Sequence, residues 1–201
     1  MVLLATSLVV YQVIRTRTGK EGEVTTLIPF RKGDKWGFCD SQKRIAIPTM
    51  YDRAEPFTDG IAIVVTNGKF GCIDSKGEMV IPVAYEQMGP FLEGLSLVHL
   101  DGKFGFVDRT GTTVIQLAYD SAGNFNEGFA RVVINGKEGF IATDGKIAVP
   151  AIHDANDYEV TDFDHGLAPI LLIGKGSMVG GGDRPTMVGY IDTKGTQYWE
   201  N

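Results

Sequence analysis

The chain has 201 residues, of which 43% are hydrophobic and 22% are charged, a composition typical of a folded globular protein and not of a disordered segment. Its formal net charge is −6 and no basic stripe is visible, which argues against a dedicated nucleic-acid-binding protein. Its two cysteines, Cys39 and Cys72, lie in apolar runs, where cysteine usually packs as a small hydrophobe, and they do not fix the compartment.

Residues 1–26 are interpreted as an N-terminal capping strand followed by a polar linker. The apolar run within them ends at Ile14, well short of the roughly 20 residues that a spanning helix needs, so we expect no membrane span. No positive charge precedes this run, which disfavours a signal peptide and leaves both a cytoplasmic and an exported location open. The incomplete first unit also leaves open that the chain is part of a longer protein.

Residues 27–201 are predicted to form a tandem array. Each unit is marked by a glycine, the first four glycines are 34 residues apart, and the last follows after 50. This period predicts one body whose units share their cores, with units at about 33–66, 67–100, 101–134, 135–186 and 187–201. The repeat markers, which we interpret as structural, are Trp36, Gly37, Phe70, Gly71, Phe104, Gly105, Gly139 and Gly189.

Each unit is predicted to contain three strand-like pieces, rich in aromatic and β-branched residues. In the second unit the first piece ends at the turn Asp74-Ser75-Lys76-Gly77, where the carboxylate can accept hydrogen bonds from backbone amides and the glycine can take a left-handed conformation. The third piece of each of the first three units runs into Asn-Gly or Asp-Gly, a strong hairpin signal. The sequence therefore predicts an all-β fold of antiparallel hairpin-type strands.

The second piece of three units contains a proline, at Pro48, Pro82 and Pro150, and each should lie at an edge, a bulge or a bend because proline cannot donate a ladder hydrogen bond. Three antiparallel strands would reverse the chain direction at every unit. We expect the bend at the proline to restore it, by letting the second piece change its pairing partner there. An elongated or coiled array is favoured over a closed propeller, whose blades usually have four strands and roughly 40 or more residues.

The fourth unit is longer than the others, and its extra residues include an acidic run from Asp154 to Asp164 and a glycine-rich stretch from Gly174 to Pro185. Insertions in repeat proteins map to loops and often to the binding face. The candidate partner-binding residues in this insertion are Lys175, Met178, Asp183 and Arg184.

The run Gly-x-Lys-Trp-Gly-Phe-x-Asp at 33–40, followed by Ile47-Pro48, Tyr51-Asp52 and Phe57-x-Asp-Gly-Ile-Ala, resembles the WG (tryptophan-glycine) repeat family of bacterial proteins. The likeness spans about 27–199 and is weakest in the fourth unit, where Glu138 replaces the aromatic residue and His153 the tyrosine. The resemblance implies a β-rich repeat with a structural or partner-binding role and no shared catalytic residues.

Signals for catalysis and for cofactors are weak. The three histidines differ in repeat phase or replace a tyrosine, and no close His–Cys pair predicts zinc. The acidic run lacks the order of a calcium loop, and Gly174-Lys175-Gly176-Ser177 lacks phosphate-loop spacing. We predict no catalytic residue, no cofactor and no metal.

The aromatic residues recur in three repeat phases, and each phase should form a column in a regular array. The phenylalanine columns are interpreted as shared core. The column of Tyr51, Tyr85 and Tyr119 is the candidate binding surface, because tyrosine hydroxyls favour a half-wet position. The sequence predicts a non-catalytic scaffold that binds a protein or peptide; the alternative is a module for carbohydrate or cell-wall polymer that uses exposed aromatic columns.

Overall fold

The described part of the chain is entirely β-structure connected by turns. The computed structural model describes residues 26–172 and 186–198, and these form eighteen strands in five antiparallel sheets. The sheets follow one another in chain order, and none of these five closes into a barrel. The predicted all-β tandem array is therefore confirmed. The predicted N-terminal capping strand lies outside the described residues.

Each sheet is a simple meander in which consecutive strands pair. Sheet 1 contains β1 (Ile28–Lys32), β2 (Lys35–Cys39) and β3 (Ile45–Tyr51). Sheet 2 contains β4 (Arg53–Ala54), β5 (Ile61–Thr66), β6 (Lys69–Asp74) and β7 (Met79–Tyr85). Sheet 3 contains β8 (Gln87–Leu92), β9 (Leu95–Leu100), β10 (Lys103–Asp108) and β11 (Thr113–Tyr119). Sheet 4 contains β12 (Ser121–Ala122), β13 (Phe129–Ile134), β14 (Lys137–Ala142) and β15 (Ile147–Asp154); sheet 5 contains β16 (Tyr158–Val160), β17 (Leu167–Leu172) and β18 (Thr186–Asp192).

The prediction of three strands per unit is wrong by one strand. A fourth strand follows each tyrosine position, and in sheets 2 and 4 it is only two residues long, too short for a periodicity signal. Because the number of strands per unit is even, every unit starts in the same direction. The chain changes sheets after Tyr85 and not at Pro82, since the segments on both sides of the proline pair with β6.

The prolines do mark a bulge, as predicted. In sheet 2, Phe70 is opposite Tyr85 but Cys72 is opposite Ile81, so three residues of β7 are left facing Gly71. A Cβ atom on Gly71 would lie 2.6 Å from the carbonyl oxygen of Ile81, a backbone atom that cannot move aside cheaply. The glycine of the repeat marker is thus required by a close approach of the neighbouring strand. The same clash would occur at Gly37, Gly105 and Gly139.

The turns follow the predicted chemistry. Asp74 Oδ1 accepts hydrogen bonds from the backbone amides of Lys76 at 2.9 Å and Glu78 at 2.8 Å, and Gly77 has φ +81°. Where the first unit lacks the glycine, Lys43 adopts φ +62° in its place. Asn67 and Gly68 both have positive φ, the conformation of a tight hairpin turn.

Successive sheets pack face to face, so the apolar core lies between them. Phe38 of β2 packs with Ala54 and Val64 of sheet 2. Phe106 of β10 packs with Ala130 of sheet 4 and with Phe125 in the β12–β13 connection. In the second unit the phenylalanine is replaced by Cys72, and the facing residue is Met88. Neighbouring sheets therefore complete each other's interiors. Each unit contributes strands to two sheets, so neighbouring units share cores as the repeat predicted, and one cluster contains Ile63, Cys72 and Val107 of three successive units.

Carboxylates also connect neighbouring units at the surface. Glu127, in the turn before β13, accepts hydrogen bonds from the backbone amides of His165 at 3.0 Å and Gly166 at 2.9 Å in the next unit. These amides hold the pKa of Glu127 below its ordinary value. Glu93 binds the amide of Gly128 in the same way, which supports the interpretation that these recurring acids are structural.

Candidate partner-binding groove

The tyrosine column is less accessible than the sequence suggested. Tyr51 is 5% exposed and belongs to the core between sheets 1 and 2, and this burial disfavours its predicted role as a contact for a partner. Tyr85 and Tyr119 are half-buried and pack against the next two cores. Their Cα partners on the adjacent strand are Phe70 and Phe104, so each tyrosine is held beside the aromatic residue of the repeat marker.

The other candidate residues, Lys175, Met178, Asp183 and Arg184, lie outside the described residues. A different concave surface is formed where sheets 2 and 3 meet. It encloses about 270 Å³, and we call it the inter-sheet groove. Its lining residues are Arg53, Phe70, Gln87, Met88, Gly89, Leu97, His99, Phe104 and Asn124.

Two aromatic rings of the repeat markers, Phe70 and Phe104, line the inter-sheet groove, and each has a polar neighbour. The guanidinium carbon of Arg53 lies 5.4 Å from the centroid of the Phe70 ring, within the range of a cation–π contact. The ring of His99 stacks on Phe104 with centroids 4.4 Å apart and an interplanar angle of 34°. The groove thus combines apolar faces with groups that can form hydrogen bonds.

His99 was missed by the sequence reasoning, which treated it as an ordinary surface or core residue. The equivalent positions one repeat away are Val65 and Val133, and this replacement of valine by histidine was the available signal. His99 Nδ1 is buried and 3.2 Å from Glu86 Oε2, but the two atoms do not have the direction of a hydrogen bond. Within residues 26–172 and 186–198 it is the one buried side-chain nitrogen or oxygen without a hydrogen-bond partner.

The fourth unit replaces the aromatic pair by a polar pair with a structural role. Glu138 is 3% exposed, forms an ion pair with Arg131, and accepts a hydrogen bond of 2.8 Å from the backbone amide of Val160 in sheet 5. His153 is the Cα partner of Glu138, its Nε2 lies 2.9 Å from Gln197 Nε2, and burial lowers its pKa. This cluster joins sheets 4 and 5.

The fold changes the chemistry of Cys72. Burial raises the pKa of its thiol to about 12, the opposite of what a nucleophilic cysteine requires. Cys39 is also buried, and both cysteines are free thiols. Among the residues described, no group of three or more His, Cys, Asp and Glu side chains is placed to hold a metal ion.

Comparison with known families identifies the repeat. A family model described as the WG containing repeat matches three consecutive segments, residues 36–70, 70–104 and 104–137. The chain belongs to the WG-repeat family. The matched segments meet at Phe70 and Phe104, the two aromatic residues that line the inter-sheet groove.

Two solved structures resemble the WG-repeat chain. One is described as a crystal structure of the eukaryotic initiation factor and is 11% identical, with a TM-score of 0.48. The match covers 88% of this chain and 51% of the initiation-factor chain, so this chain spans about half the length of that protein. The other, a protein of unknown function from Bacteroides caccae, is 18% identical with a TM-score of 0.34, covering 87% and 78% of the two chains. A comparison with curated proteins found no match. In the described segments of the WG-repeat chain, no helix could cross a membrane.

Proposed function

We propose that this WG-repeat chain is a non-catalytic scaffold that binds a protein or peptide partner. The observation that supports this function best is the inter-sheet groove, where the stacking of two sheets leaves two aromatic rings half-buried and bordered by polar side chains. Partner-binding surfaces favour aromatic residues and arginine, because both offer large contact areas with a polar edge.

Several polar residues that could suggest catalysis have structural roles instead, which supports a binding function. Glu93 and Glu127 bind backbone amides of the next unit, and Glu138 binds Val160 across a sheet boundary. The buried thiol of Cys72, with its raised pKa, is a poor nucleophile.

Carbohydrate binding is the second candidate. The rings of Phe70 and Phe104 beside the amides of Gln87 and Asn124 are residue types that could also stack against a sugar ring and bind its hydroxyls. The tyrosine column contributes less to this candidate than the sequence indicated, because Tyr51 is buried.

The two functions can be separated with the intact chain by testing oligosaccharides and cell-lysate proteins in parallel. Oligosaccharides should give no binding heat in isothermal titration calorimetry, a readout that does not depend on a Trp or Tyr in the groove. A partner captured from lysate should be lost when Phe104→Ser alters the groove. Ile147→Ser, at a residue 71% exposed and outside the groove, is the matched control. Deletion of 174–185 tests the inserted residues separately. Saturable binding of an oligosaccharide by calorimetry, with no protein captured, would contradict the proposal.

A further inference from the structure

We propose that the inter-sheet groove binds a short extended peptide in which an acidic side chain lies next to an apolar one. This inference rests on the proposed function and adds the chemistry of the partner. It follows from the charge of the groove, its size, and the position of the strand that forms one side of it.

The one permanently charged residue that lines the groove has the opposite sign to the net charge of the chain. The chain has a net charge of −6, yet no aspartate or glutamate lines the groove, and Arg53 is its one permanently charged lining residue. Arg53 forms an ion pair of 3.0 Å with Glu55, but the two side chains are 56% and 43% exposed. Exposed pairs of this kind contribute little to stability, so a carboxylate of the partner can share or replace Glu55.

The floor of the groove suits an apolar side chain next to that carboxylate. Phe104 and Leu97 are half-buried apolar residues of the lining, whereas Met88 is only 8% exposed and packs against Cys72, with Sδ and Sγ 3.7 Å apart. The volume of about 270 Å³ is just below the range of about 300–1,000 Å³ typical of small-molecule pockets. It therefore accommodates a few side chains of a linear segment and not a folded domain.

The backbone of the groove favours a peptide over a sugar. β8 is the outermost strand of sheet 3, and no strand in the described part of the chain pairs with its outer side. An extended peptide can bind such an edge through main-chain hydrogen bonds. Gln87 and Asn124 add amides that can both donate to and accept from a peptide backbone.

The test is selection of a displayed library of random linear heptapeptides on the intact chain, followed by affinity measurement on the enriched peptides. We expect enrichment of peptides with Asp or Glu beside a large apolar residue. Arg53→Glu should weaken their binding about tenfold or more, because a charge-assisted contact becomes a repulsion. Arg53→Lys should weaken it less. Arg31→Glu, which alters an exposed ion pair with Asp34 outside the groove, should have no effect.

The outcomes separate this inference from the proposed function. Enriched peptides without an acidic residue, or with affinity unchanged by Arg53→Glu, would overturn the inference and leave a peptide-binding scaffold intact. If no peptide is enriched above background, both the inference and peptide binding are overturned. Thermal unfolding of each variant verifies that a lost affinity reflects the groove and not loss of the fold.

Discussion

At Cys72 and Met88, a smaller residue on sheet 2 is matched by a larger one on sheet 3. This pairing predicts that substitutions at the two positions have coupled effects on the free energy of unfolding. In the first unit Phe38 packs with Ala54 of the next sheet, and in the third unit Phe106 packs with Ala122. In the second unit the smaller Cys72 contacts the larger Met88, with Sγ and Sδ 3.7 Å apart. The volume lost on one sheet is thus supplied by the other.

Each single change towards the other units should destabilise the chain. Met88→Ala removes a side chain that is 8% exposed and leaves a cavity, which typically costs about 2–5 kcal/mol. Cys72→Phe places an aromatic ring against Met88 at a position that is 0% exposed, and such overpacking typically costs about 1–3 kcal/mol. The double variant recreates the pair Phe38 and Ala54 of the first unit, so its cost should fall below the sum by about 0.5–3 kcal/mol.

Urea unfolding of the four proteins, followed by circular dichroism, measures this double-mutant cycle. The reverse exchange, Phe106→Cys with Ala122→Met, provides a matched control at the next sheet boundary. An unchanged dependence of the free energy of unfolding on urea would show that the variants unfold in the same cooperative transition. Additivity of the two single changes within about 0.5 kcal/mol would refute the compensation.

Two further predictions concern the turns and the bulge. Gly105→Ala should lower the free energy of unfolding by about 2 kcal/mol or more, since its Cβ would lie 2.7 Å from the carbonyl oxygen of Ile115. Gly123→Ala is the control: the atoms nearest to its Cβ would be 3.8 Å away, so it should change the free energy of unfolding by less than about 1 kcal/mol. Equal effects of the two substitutions would contradict the steric argument. The lowered pKa of Glu127 means that its contribution to stability is present above its ordinary pKa of 4.5 and is lost as the pH falls through the folded-state value. Glu127→Gln should therefore destabilise the chain at pH 7 and have a smaller effect at pH 3, and a difference between variant and parent that does not change with pH would be inconsistent with this linkage.

The repeat length, the strand class and the turn chemistry could be predicted because they depend on local signals. An Asp followed three residues later by Gly determines a turn within four residues, as at Asp74, and Asn-Gly determines a hairpin, as at Asn67. The fourth strand could not be predicted, since Arg53 and Ala54 form a strand only by pairing with β5. The proline bulge was expected, but its relation to Gly71 depends on a contact between strands that no local pattern encodes.

Which of the candidate residues are exposed could not be predicted, for a similar reason. A repeat phase indicates which residues share an environment, but it does not say whether that environment is core or surface. Tyr51 and Phe70 both belong to regular columns, yet Tyr51 is buried while Phe70 lines the inter-sheet groove. The environment of His99 depends on its contacts with Phe104 and with Glu86, which lie on different segments of the chain. No local pattern predicts that these two residues flank it.

The brevity of the connection between units limits where this chain can change length. β3 ends at Tyr51 and β4 begins at Arg53, so a single residue, Asp52, carries the chain from one sheet to the next. Asp52 is also held by the backbone amide of Asn67 at 2.6 Å. A residue added at that crossing would change the orientation of the later sheets relative to the earlier ones, whereas the exposed tip Asp101-Gly102 can lengthen within its own hairpin. The fusion of reporter or recognition sequences should therefore be tolerated at tips such as Asp101-Gly102 and rejected at residue 52.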